Sequence, residues 1–219
     1  MEKNTAVGSE CEVIIVPGNS IPSQPWWPEL HLAIIEAFLT IEYSVFPPTW
    51  TRLDPEPDKG ARGLAQELGD HGHIAVAFTE DHHPVACGGI LPFRGEHWIY
   101  EAGTKHEFIN DGDMTKTGAD DISDSNTLWE ICCFCVHPSA RGRGISHQLL
   151  NEIIKHIKVE GATSLVAHYA VDETGDFWTR LGFEAIPGAD STLPKGFQTD
   201  PEKEDLRADI HFKMGARQL

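Results

Sequence analysis

One stretch limits what this chain can become: Leu128-Trp-Glu-Ile-Cys-Cys-Phe-Cys-Val-His-Pro-Ser-Ala-Arg-Gly-Arg-Gly-Ile-Ser-His-Gln-Leu-Leu150. Leu128 to Val136 is apolar, β-branched or aromatic with a single carboxylate, Glu130, and reads as a strand. His137-Pro138 ends it, because proline has no N–H to give to a ladder. Arg141-Gly142-Arg143-Gly144 follows as a basic turn, whose glycines allow backbone geometry that other residues resist. Ile145, Leu149, Leu150, Ile153, Ile154 and Ile157 then recur at three- and four-residue spacing, which predicts an amphipathic helix. A glycine turn opening a helix aims uncovered N–H groups and the positive dipole end at one point. That suits an anion, most simply a phosphate.

The spacing excludes two common phosphate sites. A nucleotide P-loop needs Gly-x-x-x-x-Gly-Lys followed by Ser or Thr. A dinucleotide loop needs a third glycine that does not follow here. The stretch resembles instead the pyrophosphate loop of the GNAT superfamily of acyl-CoA-dependent N-acyltransferases. That family writes Gln or Arg, two residues, Gly, one residue, then Gly or Ala; here Arg141, Gly144 and Ser146 hold those places. A second stretch, Phe177-Trp-Thr-Arg-Leu-Gly-Phe183, is similar to the family's Phe-Tyr-x-x-Leu-Gly-Phe. One helix and one strand separate the two stretches, as in the family.

The remaining pattern fits that order. Strands are expected at Glu12–Val16, His73–Thr79, Pro84–Phe93, Leu128–Val136, Thr163–Val171, from Phe183 and at Leu206–Met214. Helices are expected at about Pro28–Tyr43, Lys59–Leu68, Ile145–Val159 and Thr174–Arg180. The resemblance implies an α/β (mixed α+β) fold in a single domain over 1–219. Its central mixed, mostly antiparallel sheet is flanked by helices and splayed at the CoA-binding strand. Residues 94–127 are polar and acidic and read as a flexible insertion, either a solvated loop or an acidic lid for a basic substrate.

The resemblance also implies the site. Phe134, Cys135 and Val136 would contact the pantetheine arm through strand backbone. Arg141, Gly142, Arg143, Gly144, Ile145, Ser146 and His147 would bind the pyrophosphate, largely through N–H groups. Glu130 is the candidate base, and its other reading is a carboxylate paired with an arginine. The family's tyrosine acid falls on Trp178, whose indole is not a useful proton donor, and its asparagine falls near Val171. Tyr169 or His168 is the candidate substitute acid; successive strand residues face opposite ways, so at most one of them points into the cleft. The implied activity is direct transfer of acetyl from acetyl-CoA to a small-molecule amine. Trp178 leaves room for other thioester chemistry on the same fold (a decarboxylase or cyclase), or for a non-catalytic acyl-CoA-binding protein.

Composition sharpens the partners. The net charge of −17 disfavours nucleic acid and anionic membranes and leans toward a cationic amine. Against it, Arg141 and Arg143 form a local positive patch suited to an anionic cofactor. Five cysteines, an odd number, crowd three into one strand, so a reduced cytoplasmic protein is expected. Small core cysteines are their ordinary reading, and a covalent acyl-enzyme at Cys132, Cys133 or Cys135 is the other. No Cys-x-x-Cys is present, and His82-His83 reads as an exposed turn, so no metal is expected. No apolar run reaches membrane-spanning length, and no signal peptide is read at the start.

Overall fold

The computed structural model describes residues 11–39, 46–95, 127–198 and 204–219. These fall into two compact units. The first takes its described residues from 11–39, 51–90 and 133–156; the second takes them from 46–50, 91–95, 127–132, 157–198 and 204–219.

The first unit holds β1 (Glu12–Pro17), β2 (His73–Phe78), most of β3 (Pro84–Pro92) and the end of β4 (Leu128–Val136), in the order β1-β2-β3-β4. β1 pairs antiparallel with β2, and β2 with β3. Helix α1 (Trp27–Phe38) buries Leu30, Ala33, Ile34 and Ala37 along one face. Helix α2 (Pro57–Leu68) starts two residues earlier than its periodicity suggests, because Pro57 occupies the first turn, where a missing N–H costs nothing. Helix α3 (Ile145–Val159) buries Leu149, Leu150, Ile153 and Ile157 almost completely, as the spacing requires.

In the second unit the order is β4-β5-β8-β6, with β7 on β8. Here β5 is Ser164–Ala170, β6 Glu184–Ala185, β7 Ser191–Leu193 and β8 Ile210–Gln218. The β4–β5 pair is parallel and β5–β8 antiparallel. The chain is thus a mixed α/β fold whose sheet is mostly antiparallel.

Three expectations need correction. The helix expected at Thr174–Arg180 is two short turns, α4 (Val171–Thr174) and α5 (Phe177–Arg180). Gly175, with φ of 54°, breaks them apart. The final strand begins at Ile210 rather than Leu206, because Leu206 packs with Phe197 and Ile210 in a small core of its own. The polar segment after Pro187, read as a loop, contains β7, an edge strand short enough to escape a period-two pattern. The expected insertion at 94–127 lies, apart from Arg94, Gly95 and Thr127, outside the described residues.

Candidate active site

The glycine turn belongs to the first unit and is built from main chain. Gly142 and Gly144 have φ of 77° and 80°. A Cβ at either would meet nothing within 4 Å, so the glycines serve backbone conformation and not packing. His147 N and Gln148 N both reach Gly144 O, at 3.1 and 3.2 Å, which closes the first turn of α3 on the glycine carbonyl. The first amides of an α-helix have no acceptor within the helix, so this end suits an anion.

The arginine side chains do a different job. Arg141 Nε donates to Val136 O and its Nη2 to Ala37 O, both at 3.1 Å. Ala37 lies in the last turn of α1, where a cation complements the helix dipole. His137 adds a second tie, with Nε2 2.7 Å from Glu36 Oε2 and Nδ1 2.7 Å from Ser139 Oγ. Arg143 Nη2 donates to Ser139 O at 3.2 Å. The two arginines thus shape the turn through carbonyls of their own unit.

Upstream, Phe134 lies against Gly88 of β3: a Cβ at Gly88 would come within 2.8 Å of the Phe134 ring and 3.0 Å of Ile153 of α3. Phe134 is therefore committed to packing, and what its position offers a ligand is backbone. Cys133 has φ of 46°, a left-handed conformation in mid-strand. It marks an irregularity in β4. His137 N donates to Val85 O at one end of the strand and Phe93 N to Leu128 O at the other, and these two bonds are one residue out of register.

The second unit holds Glu130, His168 and Tyr169. Glu130 is buried, with 1% of its side chain exposed. Its Oε1 accepts from Arg94 Nη2 at 2.6 Å and its Oε2 from Arg94 Nε at 3.3 Å. A guanidinium grips both oxygens of this buried carboxylate. The β4–β5 register sets Val166 opposite Glu130, so His168, two residues on, shares that face. Arg94 also acts on His168. Burial, then the Arg94 charge, lowers the imidazole pKa to about 4, so it is neutral at physiological pH.

Tyr169 points the other way and stacks on Trp178, with ring centroids 5.9 Å apart and planes at 28°. Trp178 in turn meets Phe183 edge-on at 5.1 Å. Burial and the charge of Asp190 raise the Tyr169 pKa, so the phenol keeps its proton. The two acid candidates are thus separated as strand alternation requires. The β4–β5 ladder ends at Ile131 with Ala167, although β5 continues to Ala170.

Sequence reasoning missed Arg94 as a site residue, since it opens a segment read as an insertion. The signal was indirect: a lone carboxylate in an apolar strand favours a cation beside it, and Arg94 stands two residues past the end of β3. Among the described residues no cluster of three or more His, Cys, Asp or Glu is arranged for a metal. No described helix is long and apolar enough to cross a membrane.

Comparison with known proteins fits this architecture. A model of the Acetyltransferase (GNAT) family matches residues 35–183, and the chain belongs to that family. No curated protein sequence matches it significantly. Solved structures do. A ribosomal-protein-alanine N-acetyltransferase from Brucella melitensis is 17% identical, with 95% of this chain and 99% of that one covered at a TM-score of 0.54. A GCN5-related N-acetyltransferase from Rhodopseudomonas palustris is 12% identical, with 97% and 98% covered at a TM-score of 0.56. A Bacillus subtilis acetyltransferase in complex with CoA is 12% identical, with 96% and 99% covered at a TM-score of 0.51. At these identities the likeness is one of fold.

Proposed function

We propose that the chain transfers acetyl from acetyl-CoA to the amine of a small molecule by direct transfer. The observation that carries this reading is β4 itself. One strand bears the buried Glu130 and runs into a turn whose two glycines both adopt left-handed backbone. The family gives the ligand class, and the CoA complex of a protein of the same fold supports it.

In this reading the amides from Gly142 to Ser146 hold the pyrophosphate, the His147 amide being taken by Gly144 O, and the backbone of Phe134, Cys135 and Val136 orients the pantetheine. Bound acetyl-CoA supplies an activated acyl thioester. Glu130 accepts the amine proton, directly or through water, and Arg94 fixes the carboxylate's orientation. His168 lies beside Arg94 on the Glu130 face. It is not charged at neutral pH and so does not act as an imidazolium acid. Tyr169 faces away from Glu130 and stacks on Trp178, so no side chain is assigned as acid and the thiolate leaves unprotonated. The net charge of −17 favours a cationic acceptor.

Trp178 favours a second reading. It stands where the family's tyrosine does and is stacked into an aromatic core, which suits a thioester enzyme of other chemistry or a non-catalytic acyl-CoA binder. Thiol release from acetyl-CoA over a panel of amines separates the two. Amine-dependent release, lowered about 100-fold in Glu130→Gln, is expected. Calorimetric CoA binding with no release on any amine would discard the first reading in favour of the second.

A further inference from the structure

Three of the five cysteines meet inside the first unit, and the function proposed above uses none of their thiols. Cys87 on β3 is fully buried, while Cys135 on β4 is partly exposed. The bond from His137 N to Val85 O sets Cys135 directly opposite Cys87 on the neighbouring antiparallel strand. Their sulfurs are 3.7 Å apart. Cys87 Sγ also lies 3.4 Å from the carbonyl of Cys133, the left-handed residue of β4. Cross-strand partners have Cα atoms roughly 4.5–5.5 Å apart, within the roughly 4.4–6.8 Å that a disulfide spans. Facing cross-strand positions are therefore within the span of a disulfide.

We propose that Cys87 and Cys135 form a hydroperoxide-oxidisable dithiol, with Cys135 the sulfur attacked first and Cys87 the resolving one. The division follows from exposure, since an oxidant in solution reaches Cys135 and not Cys87. The Cys135 thiolate attacks one oxygen of the hydroperoxide. An S–O bond forms, the O–O bond breaks, and the second oxygen leaves as water, or as an alcohol from an organic peroxide. Cys87 sulfur then attacks Cys135 sulfur. The S–S bond forms, the S–O bond breaks, and hydroxide leaves with the Cys87 proton as water. Two thiols lose two electrons and the peroxide gains them. Hydrogen bonding with Cys133 and Cys135, then burial, holds the Cys87 pKa well above the usual thiol value, so Cys87 gives up its proton only as it reacts. Closing the bond takes the Cys87 donor away from Cys133 O, at the irregular point of the strand that leads into the glycine turn.

The test reads mass and needs no turnover, so it stands or falls apart from the acyl-transfer reading. Folded wild-type protein is treated with a few equivalents of hydrogen peroxide, then unfolded in an alkylating reagent. We expect loss of two of the five alkylatable thiols, a linked pair of peptides carrying Cys87 and Cys135, and full recovery with dithiothreitol. In Cys87→Ser the reaction should stop at a dimedone-trappable sulfenic acid on Cys135. In Cys135→Ser no thiol should be lost to a disulfide. The proposal is overturned if wild type still alkylates at five positions. A link from Cys87 to Cys133 also overturns it, as does Cys135 reaching the sulfinic acid with Cys87 still reduced.

Discussion

Gly142 and Gly144 make a region whose character lies in the main chain. Glu130, Arg94 and His168 make one whose character lies in three side chains drawn from two strands and the exit of a third. The turn holds its shape by left-handed backbone and by arginines that bond to carbonyls. The carboxylate group holds by one buried ion pair and a neutral imidazole beside it. The first kind of site tolerates almost any side chain that leaves the backbone alone. The second fails when a single partner is lost. Substitutions that test this difference should have their largest effects on the side-chain group.

The largest effect is expected at Arg94. Arg94→Ala leaves a carboxylate that is 1% exposed without its cation, and breaking such a pair costs roughly 3–5 kcal/mol. Chemical denaturation should show that loss, and Glu130→Gln combined with Arg94→Ala should recover part of it, because the second change removes the orphaned charge. Full additivity of the two would break the pairing argument.

Next comes acid. His168 has a folded-state pKa of about 4, against 6.5 for a free imidazole. The unfolded chain binds the proton more readily, so stability is fully present above about pH 6.5 and is lost as pH falls through 4. The difference corresponds to about 3 kcal/mol. In His168→Gln the slope of stability between pH 6.5 and 4 should shrink by about one proton. An unchanged slope would mean that the imidazole is not held neutral.

The same contrast explains which features are legible in the sequence. β4 and α3 run from Leu128 to Val136 and from Ile145 to Val159, where the apolar pattern, Pro138 and the glycines place them. Each signal there is local, within a few residues of what it controls. Glu130 and Arg94 lie 36 residues apart in sequence and on different elements, and no period or turn residue links them. That Glu130 pairs with an arginine appears only once the guanidinium of Arg94 is placed beside it, and its role as base belongs to the proposed mechanism. β8 shows the same limit. Leu206 and Ile210 fit one alternating pattern, but Leu206 is drawn to Phe197, a contact no strand period predicts.

Smaller than the stability effects, and the more direct test of chemistry, is Glu130→Gln. A general base contributes about 10²–10⁴-fold. Turnover should fall about 100-fold at saturating acetyl-CoA, while CoA affinity stays within about threefold, because the glycine turn is untouched. A fall in CoA affinity with turnover retained would assign Glu130 to structure alone. It would then leave the proton to water or to His168.

The smallest effect tests the main-chain half of the comparison. Gly144→Ala adds a methyl into open space, so no clash confuses the result. Its whole cost is that of holding an L residue at φ near 80°, about 1–2 kcal/mol. If the turn relaxes to escape that cost, its amides turn away from the anion, and CoA affinity measured by calorimetry should drop about tenfold. Gly161, just beyond the other end of α3, is the control: its φ is 87° and a Cβ there also meets nothing. Gly161→Ala carries the same backbone strain at the wrong end of the helix for an anion, so it should cost stability and leave CoA affinity unchanged. Equal losses of affinity in both variants would show that strain in α3, and not the aim of the Gly144 amides, governs binding.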